Sequence, residues 1–333
     1  MRVHESLSDT PNHSDKATRK FDYAHLAERD FLSVDDFSPQ EMRALFALAA
    51  DLKHRPKRYI EILKGKSLAL IFEKPSLRTR TTFTLGMSQL GGILVDYPTG
   101  DVGLGTREAV HDVAKNLERM VNGVMIRTFG QDIVESFALH AAIPVINGLT
   151  DYEHPCQAMA DFFTLAERKK SVKKLKIAYV GDGNNVAHSL MLMAAKWGTR
   201  FAIATPPGYE PAARLAQRAE ELAAKSGGGM LITHNPIEAV RDADAVYTDT
   251  WTSMGQEAEA EVRRTVFTSY QVNRALFTHA KPDALFMHCL PAHRGEEVTD
   301  DIIDSKNSVV FEQAENRLHV QKAVLCALLG GND

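Results

Sequence analysis

Short apolar runs recur along the chain, each about strand length, with segments of helical periodicity between most of them. In the first half they are Ser67–Phe72, Ile93–Tyr97, Gly123–Arg127 and Ile143–Asn147. In the second half they are Lys176–Val180, Phe201–Ala204, Met230–Thr233, Ala245–Thr248, Ala284–Met287 and Ser308–Phe311. Several end in Gly, Pro, Asn or Asp, the residues that suit turns. The spacing predicts helices over Thr79–Leu90, Pro155–Glu167, Val186–Trp197 and Pro211–Ala224, with Gly91-Gly92 and Gly198 as stops. Alternation of this kind predicts an α/β chain with parallel sheets. The runs are too many for one sheet of ordinary size. Two sheets follow, divided near Thr150 within Gly148–His154. A last helical stretch, Ala314–Leu329, carries Leu318, Ala323, Val324 and Leu328 on one face, and its periodicity suits packing on either sheet.

Length agrees, since 333 residues correspond to about two domains. Apolar residues make up 44% and charged residues 25%, values of a folded globular chain. The net charge of -4 offers no basic excess for nucleic acid and no basic amphipathic face for a membrane. A small anion needs only a local cluster of Arg, so it stays open as a substrate. No apolar stretch approaches the ~20 residues of a membrane span. Residues 1–20 lack a secretory apolar core and carry Glu5, Asp9 and Asp15, so they read as a polar, disordered extension rather than a targeting segment. Cys156, Cys289 and Cys326 are odd in number and widely spaced, which points to a reducing cytoplasm rather than a disulfide framework. No CxxC or HExxH pattern suggests a metal.

Five segments could carry chemistry. Phe72–Phe83 contains Ser76-Leu77-Arg78-Thr79-Arg80 between a strand and a helix start. Free backbone N–H groups and Arg side chains there suit an anion, although Ser76 could equally be a plain helix cap. His154-Pro155-Cys156-Gln157 opens a helix with Pro at its first position. His154 could donate to a carbonyl oxygen there, or be a simple capping residue. Gly181-Asp182-Gly183-Asn184-Asn185-Val186 is half of a dinucleotide fingerprint, with Val186 at the third Gly position. It reads either as a ligand loop presenting Asn184 and Asn185 or as a tight turn. Asp249–Gly255 follows a strand and offers Asp249 to an ammonium group, or to solvent. His288-Cys289-Leu290-Pro291-Ala292-His293-Arg294-Gly295 sets a Cys among His and Arg residues that would lower its pKa. The alternative is a buried, inert Cys.

Read together, in this order, the segments resemble the ornithine branch of the aspartate/ornithine carbamoyltransferase family, from about Phe31 to Leu329. Ser76–Arg80 resembles the carbamoyl phosphate signature, with Leu77 where Thr is usual, and Arg127 adds a further phosphate Arg. His154 and Gln157 match the residues for the carbamoyl group. Cys289 with Leu290 and Asp249 with Ser253-Met254-Gly255 resemble the ornithine side, and Arg317 in Ala314–Arg317 matches the family's terminal motif. Gly103 stands where relatives often carry Gln, in a loop that in the family reaches a neighbouring subunit.

The resemblance implies two parallel-sheet α/β domains with a C-terminal helix returning to the first. Residues 21–150, with helix 314–330, would bind carbamoyl phosphate, and 151–313 would bind ornithine. It implies carbamoyl transfer to the δ-amine of L-ornithine, giving citrulline and phosphate, without cofactor, metal or covalent intermediate. Arg78, Arg127, His154 and Cys289 would be catalytic. Ser76, Leu77, Arg78, Thr79, Arg127, His154, Gln157, Cys289, Leu290 and Arg317 would bind carbamoyl phosphate, and Asn185, Asp249, Ser253 and Met254 ornithine. A cytoplasmic homotrimer, or a multiple of trimers, is the implied assembly, with no nucleic-acid or membrane partner. The rival readings are a nicotinamide dehydrogenase using Gly181–Val186 and a non-catalytic paralogue.

Overall fold

A computed structural model describes residues 23–330. The predicted N-terminal extension lies outside the described residues. The first part of the chain runs α1 (Pro39–His54), β1 (Ser67–Phe72), α2 (Leu77–Gln89), β2 (Ile93–Asp96), α3 (Val110–Leu117), β3 (Gly123–Arg127), α4 (Gln131–His140) and β4 (Val145–Leu149). Next come α5 (Pro155–Lys169), β5 (Lys176–Val180), α6 (Asn185–Trp197), β6 (Arg200–Ala204), α7 (Ala213–Ser226), β7 (Gly229–Thr233), α8 (Pro236–Val240) and β8 (Ala245–Thr248). The chain closes with α9 (Ala260–Phe267), α10 (Arg274–Phe277), β9 (Leu285–His288), α11 (Asp300–Ile303) and α12 (Val310–Leu329).

The strands form two parallel sheets, ordered β2-β1-β3-β4 and β7-β6-β5-β8-β9. Strand β1 shows how a buried parallel strand serves two cores. Leu68, Leu70 and Phe72 pack in one apolar cluster, while Ala69 and Ile71 face another with Val113, Leu117, Val134 and Phe137 from α3 and α4. Alternation of Cβ direction along the strand requires this division. The first cluster continues through α1, α5, α6 and α12 to Ile177, Tyr179 and Tyr247 of the second sheet, so one core spans both halves. The outer face of the second sheet, with Ala178, Val180, Val246 and Phe286, is covered by a third cluster from α8 to α11.

Two differences from the predicted elements concern the C-terminal segment. Ser308–Phe311 is not a strand: Ser308 makes an isolated bridge to Phe286, and α12 begins at Val310, before the predicted Ala314. The short apolar run leads into the first turn of a helix, with Val309 and Val310 buried and Phe311 exposed, an ambiguity that periodicity over so few residues does not resolve. Helix α12 then packs against α1, α2 and α5, which carries the end of the chain back to the first sheet.

Strand order places the chemistry. The direction of winding reverses between β1 and β3 in one sheet and between β5 and β8 in the other. Open α/β sheets bind ligands at the carboxyl ends of strands on either side of such a reversal. Ser76–Thr79 follow β1 and Arg127 ends β3, while Gly181–Asn184 follow β5 and Asp249 follows β8.

Candidate active site

These carboxyl ends border one cavity of about 1380 Å³, which draws residues from both sheets and from α12. Ser76, Arg78, Thr79, Arg127, His154, Gln157 and Arg317 line one end. Asn185, Asp249, Ser253, Met254, Cys289 and Leu290 line the other. The structure therefore brings together every residue assigned above to carbamoyl phosphate or ornithine except Leu77, whose side chain is 77% exposed and outside the cavity lining.

At the first end, Ser76 caps α2 by accepting the Thr79 N–H at 3.2 Å. The cap points Arg78 and Thr79 into the cavity. Arg317, 2% exposed, donates to Thr79 Oγ1 at 2.9 Å and to Gln157 Oε1 at 2.5 Å. The Arg78 guanidinium donates to the Leu290 carbonyl and so joins the β1 segment to the β9 segment. Arg80, the other Arg of the motif, turns away: it pairs with Asp96 and lies 4.1 Å from the Phe72 ring centroid.

Three cations thus converge here, Arg127 and Arg317 buried and Arg78 partly so, and among the described residues no carboxylate is paired to any of them. Burial lowers the pKa of Arg78, and burial with the repulsion of Arg317 and Arg78 pushes Arg127 down to about 9. Burial and the same three Arg residues hold His154 well below its usual range, so its imidazole is neutral near pH 7. Arg127 Nε, Arg317 Nε and His154 Nδ1 are buried without a hydrogen-bond partner among the described residues. A buried donor without an acceptor is costly, and several of them converging with like charges call for an anion.

The other end is self-satisfied. Asp249 Oδ1 accepts the Cys289 Sγ–H at 3.0 Å and the Thr250 N–H at 2.8 Å, and Oδ2 accepts Asn184 Nδ2 at 2.9 Å. Burial and the Asp249 charge push the Cys289 thiol well above its usual pKa. This corrects the expectation of a thiol activated by its neighbours. Arg294 pairs with Asp300 and Asp304 at 2.7 and 2.6 Å, and His288 points its Nε2 to Glu297 at 3.0 Å. Neither is left to stabilise a thiolate, so Cys289 is a protonated hydrogen-bond donor.

The dinucleotide alternative fails on geometry. A Cβ at Gly183 would lie 2.4 Å from Pro211 N and 2.5 Å from Glu210 C, so this glycine admits the chain's own backbone. Asn184 Oδ1 caps α6 through the Val186 and Ala187 N–H groups, and Asn185 Nδ2 donates to the Thr150 carbonyl at 2.5 Å. Among the described residues, two groups have side-chain spacing compatible with a metal, Asp249–His288–Cys289 and His293–Glu296–Glu297. In the first, both His288 nitrogens are already used, by the Leu290 N–H and by Glu297.

Sequence reasoning passed over several residues in or behind the cavity wall. Lys74, 3% exposed, pairs with Asp151 and lies 4.2 Å from the Phe129 ring centroid. Glu73 accepts the Leu104 N–H at 2.8 Å and the Thr128 hydroxyl, which ties the Gly103 loop to β1. Arg263 of α9 donates to Asp182 at 3.0 Å and to the Trp251 carbonyl at 2.9 Å. Glu73 and Lys74 lie inside the first segment, just before Ser76, a signal that was available. Arg263 sits in an acidic, polar stretch with no local pattern to mark it.

The chain matches the carbamoyl-P binding domain of aspartate/ornithine carbamoyltransferases over residues 29–167. It matches the Asp/Orn binding domain of the same enzymes over residues 173–328. It is 53% identical over 311 residues to ornithine carbamoyltransferase of Thermococcus kodakarensis, covering 92% of this chain and 98% of that protein. It is 55% identical over 304 residues to the Carboxydothermus hydrogenoformans ornithine carbamoyltransferase, covering 91% of this chain and 98% of the relative. The solved ornithine carbamoyltransferase of Pyrococcus furiosus superposes with a TM-score of 0.89 at 51% identity, over 92% of this chain and 99% of the other. With both domain models matched in sequence order and the two sheets opening onto one cavity, the chain belongs to the aspartate/ornithine carbamoyltransferase family.

Proposed function

We propose that this protein is an ornithine carbamoyltransferase, moving the carbamoyl group of carbamoyl phosphate to the δ-amine of L-ornithine to give L-citrulline and phosphate. The observation that carries the reading is the cluster of buried, like-charged donors at the first end, facing a preformed acid–thiol pair at the second. Ser76, the Leu77 amide, Arg78, Thr79, Arg127 and Arg317 hold the phosphate. Arg78, Thr79 and neutral His154 donate to the carbonyl oxygen and stabilise the charge that grows on it. Gln157 and the Leu290 carbonyl orient the carbamoyl NH₂. Asp249 takes the α-ammonium of ornithine, and Cys289, Asn185, Ser253 and Met254 hold the rest of the amino acid. The neutral δ-amine attacks the carbonyl carbon, the C–O bond to phosphate breaks, and the amine proton leaves with phosphate or solvent. Holding the two substrates in line supplies much of the acceleration. Fixed donors carry the developing charge, so the reading includes neither a metal nor a covalent intermediate.

Residues 21–150 with the C-terminal helix serve carbamoyl phosphate in this reading, and 151–313 serve ornithine. The protein works in the cytoplasm as a homotrimer or a multiple of trimers. Among the described residues, no helix is long and apolar enough to cross a membrane. The test is a ureido-product assay with carbamoyl phosphate and, in parallel, L-ornithine, L-aspartate, N-acetylornithine and putrescine. Turnover with ornithine alone is expected. Turnover with another amine would keep the phosphate end and discard the roles given to Asp249–Met254.

A further inference from the structure

Below the carbamoyl end of the cavity lies a carboxylate that no step above uses. Asp161 sits on α5 one turn beyond Gln157 and is fully buried. Its Oδ1 accepts Gln157 Nε2 at 2.8 Å and Gln313 Nε2 at 2.7 Å. Its Oδ2 accepts the Tyr247 hydroxyl at 3.1 Å. Burial raises its pKa to about 7, and above that pH the ionised carboxylate only accepts, so both glutamines turn their NH₂ ends towards it and their oxygens away.

Each oxygen then has a defined place. Gln157 Oε1 faces Arg317 Nη1 at 2.5 Å and the cavity that Gln157 lines. Gln313 Oε1 accepts the His288 N–H at 3.1 Å, at the end of β9, next to the Cys289-Leu290 segment. The Leu290 carbonyl is the second acceptor for the carbamoyl NH₂; it receives Arg78 of the phosphate end and so lies where the two ends meet. One buried acid therefore sets the sense of one acceptor directly and anchors the strand that carries the other.

We propose that Asp161 is a positioning residue that makes the site select a carbamoyl group over an acyl group, by keeping acceptor oxygens aimed at the carbamoyl NH₂. The inference rests on the carbamoyltransferase reading. A site with fixed acceptors loses most when offered a ligand that lacks the matching donor. Acetyl phosphate is that ligand, because a methyl replaces NH₂ while the phosphate and carbonyl are unchanged.

The experiment compares carbamoyl phosphate, acetyl phosphate and inorganic phosphate in wild type, Asp161→Ala and Asp161→Asn. Turnover with ornithine gives the KM of the first, and competition gives the inhibition constants of the others. Asp161→Ala frees the Gln157 amide, and carbamoyl phosphate should lose ~10- to 100-fold in affinity, the usual scale for a misplaced site group. Acetyl phosphate and phosphate should change by less than ~3-fold, since their contacts lie elsewhere. The Asn oxygen still accepts both glutamines and its NH₂ can donate to Tyr247, so Asp161→Asn should restore the preference.

Equal losses for all three ligands in folded Asp161→Ala, or Asp161→Asn as impaired as Asp161→Ala, would overturn the proposal. If Asp161→Ala does not fold, Asp161→Ser makes the same comparison. Wild type without turnover would instead remove the enzymatic reading. Calorimetric titration of the three ligands would then decide whether Asp161 still sets their ranking.

Discussion

At the carboxyl end of the first sheet, Arg78, Arg127 and Arg317 crowd charge of one sign together, and Arg127 Nε and Arg317 Nε have no partner among the described residues. At the corresponding end of the second sheet, Asp249 has accepted a thiol, an amide and a backbone N–H before any substrate arrives. The first end is destabilising by itself and gains most from a ligand. The second is closed on itself and has only the half-exposed Met254 and the polar Ser253 loop to adjust. Strain concentrated where the doubly charged phosphate would bind, and not where the amino acid would bind, is what electrostatic preorganisation requires.

The sharpest break of this contrast is Arg78→Ala. It should lower turnover by ~10³-fold or more, since the side chain serves both phosphate and carbonyl, with the circular dichroism spectrum unchanged. Activity near wild type would remove Arg78 from the reaction. Asp249→Asn acts on the other end alone. It should raise the ornithine KM by ~10²-fold, as an ammonium loses its charged partner, with the KM for carbamoyl phosphate nearly constant. Equal changes in both would show that the two ends are not separable.

The two sheets could be read from the chain because each buried parallel strand is a continuous apolar run closed by turn residues, as at Ser67–Phe72 and Lys176–Val180. Helix α12 was less legible at its start, where Ser308–Phe311 has too few residues to show a period. The candidate site residues could be named because helix starts and strand ends mark them locally, as Ser76 and His154 do. What the sequence could not supply was their environment. The Cys289 thiol looked activated by neighbours in sequence, but Arg294 is drawn off by Asp300 and Asp304, residues brought near only by the fold. Asp161 has no local signature, because its partners come from three different elements.

Smaller effects refine the comparison. Cys289, held protonated beside Asp249, should resist iodoacetamide in the native protein at pH 8 and react ~10-fold or more slower than a free thiol. Fast labelling would contradict a closed acid–thiol pair. Glu153 bridges the halves by accepting Ser33 Oγ at 2.6 Å, the Val34 N–H at 3.1 Å and Ser189 Oγ at 3.2 Å. Burial pushes its pKa up from 4.5 to about 7, so between these values the folded protein holds more protons than the unfolded chain. Stability due to Glu153 is therefore full below pH 4.5 and falls as pH rises to about 7, by on the order of 3 kcal/mol. Glu153→Gln should flatten that part of a urea-denaturation pH profile, and an unchanged slope would contradict the assignment. The smallest effect belongs to Leu77→Thr. An exposed side chain outside the cavity should alter the KM for carbamoyl phosphate by less than ~3-fold.

The most direct test of the contrast is thermal melting of wild type and Arg127→Met with rising carbamoyl phosphate. An anion that binds only the folded protein raises the melting temperature with the logarithm of its concentration. Relief of buried like-charge repulsion should make Arg127→Met at least as stable as wild type without ligand. The melting temperature should rise steadily for wild type and hardly at all for Arg127→Met. Equal rises in both, or a variant that is less stable and still responds, would contradict a phosphate end built from unpaired buried cations.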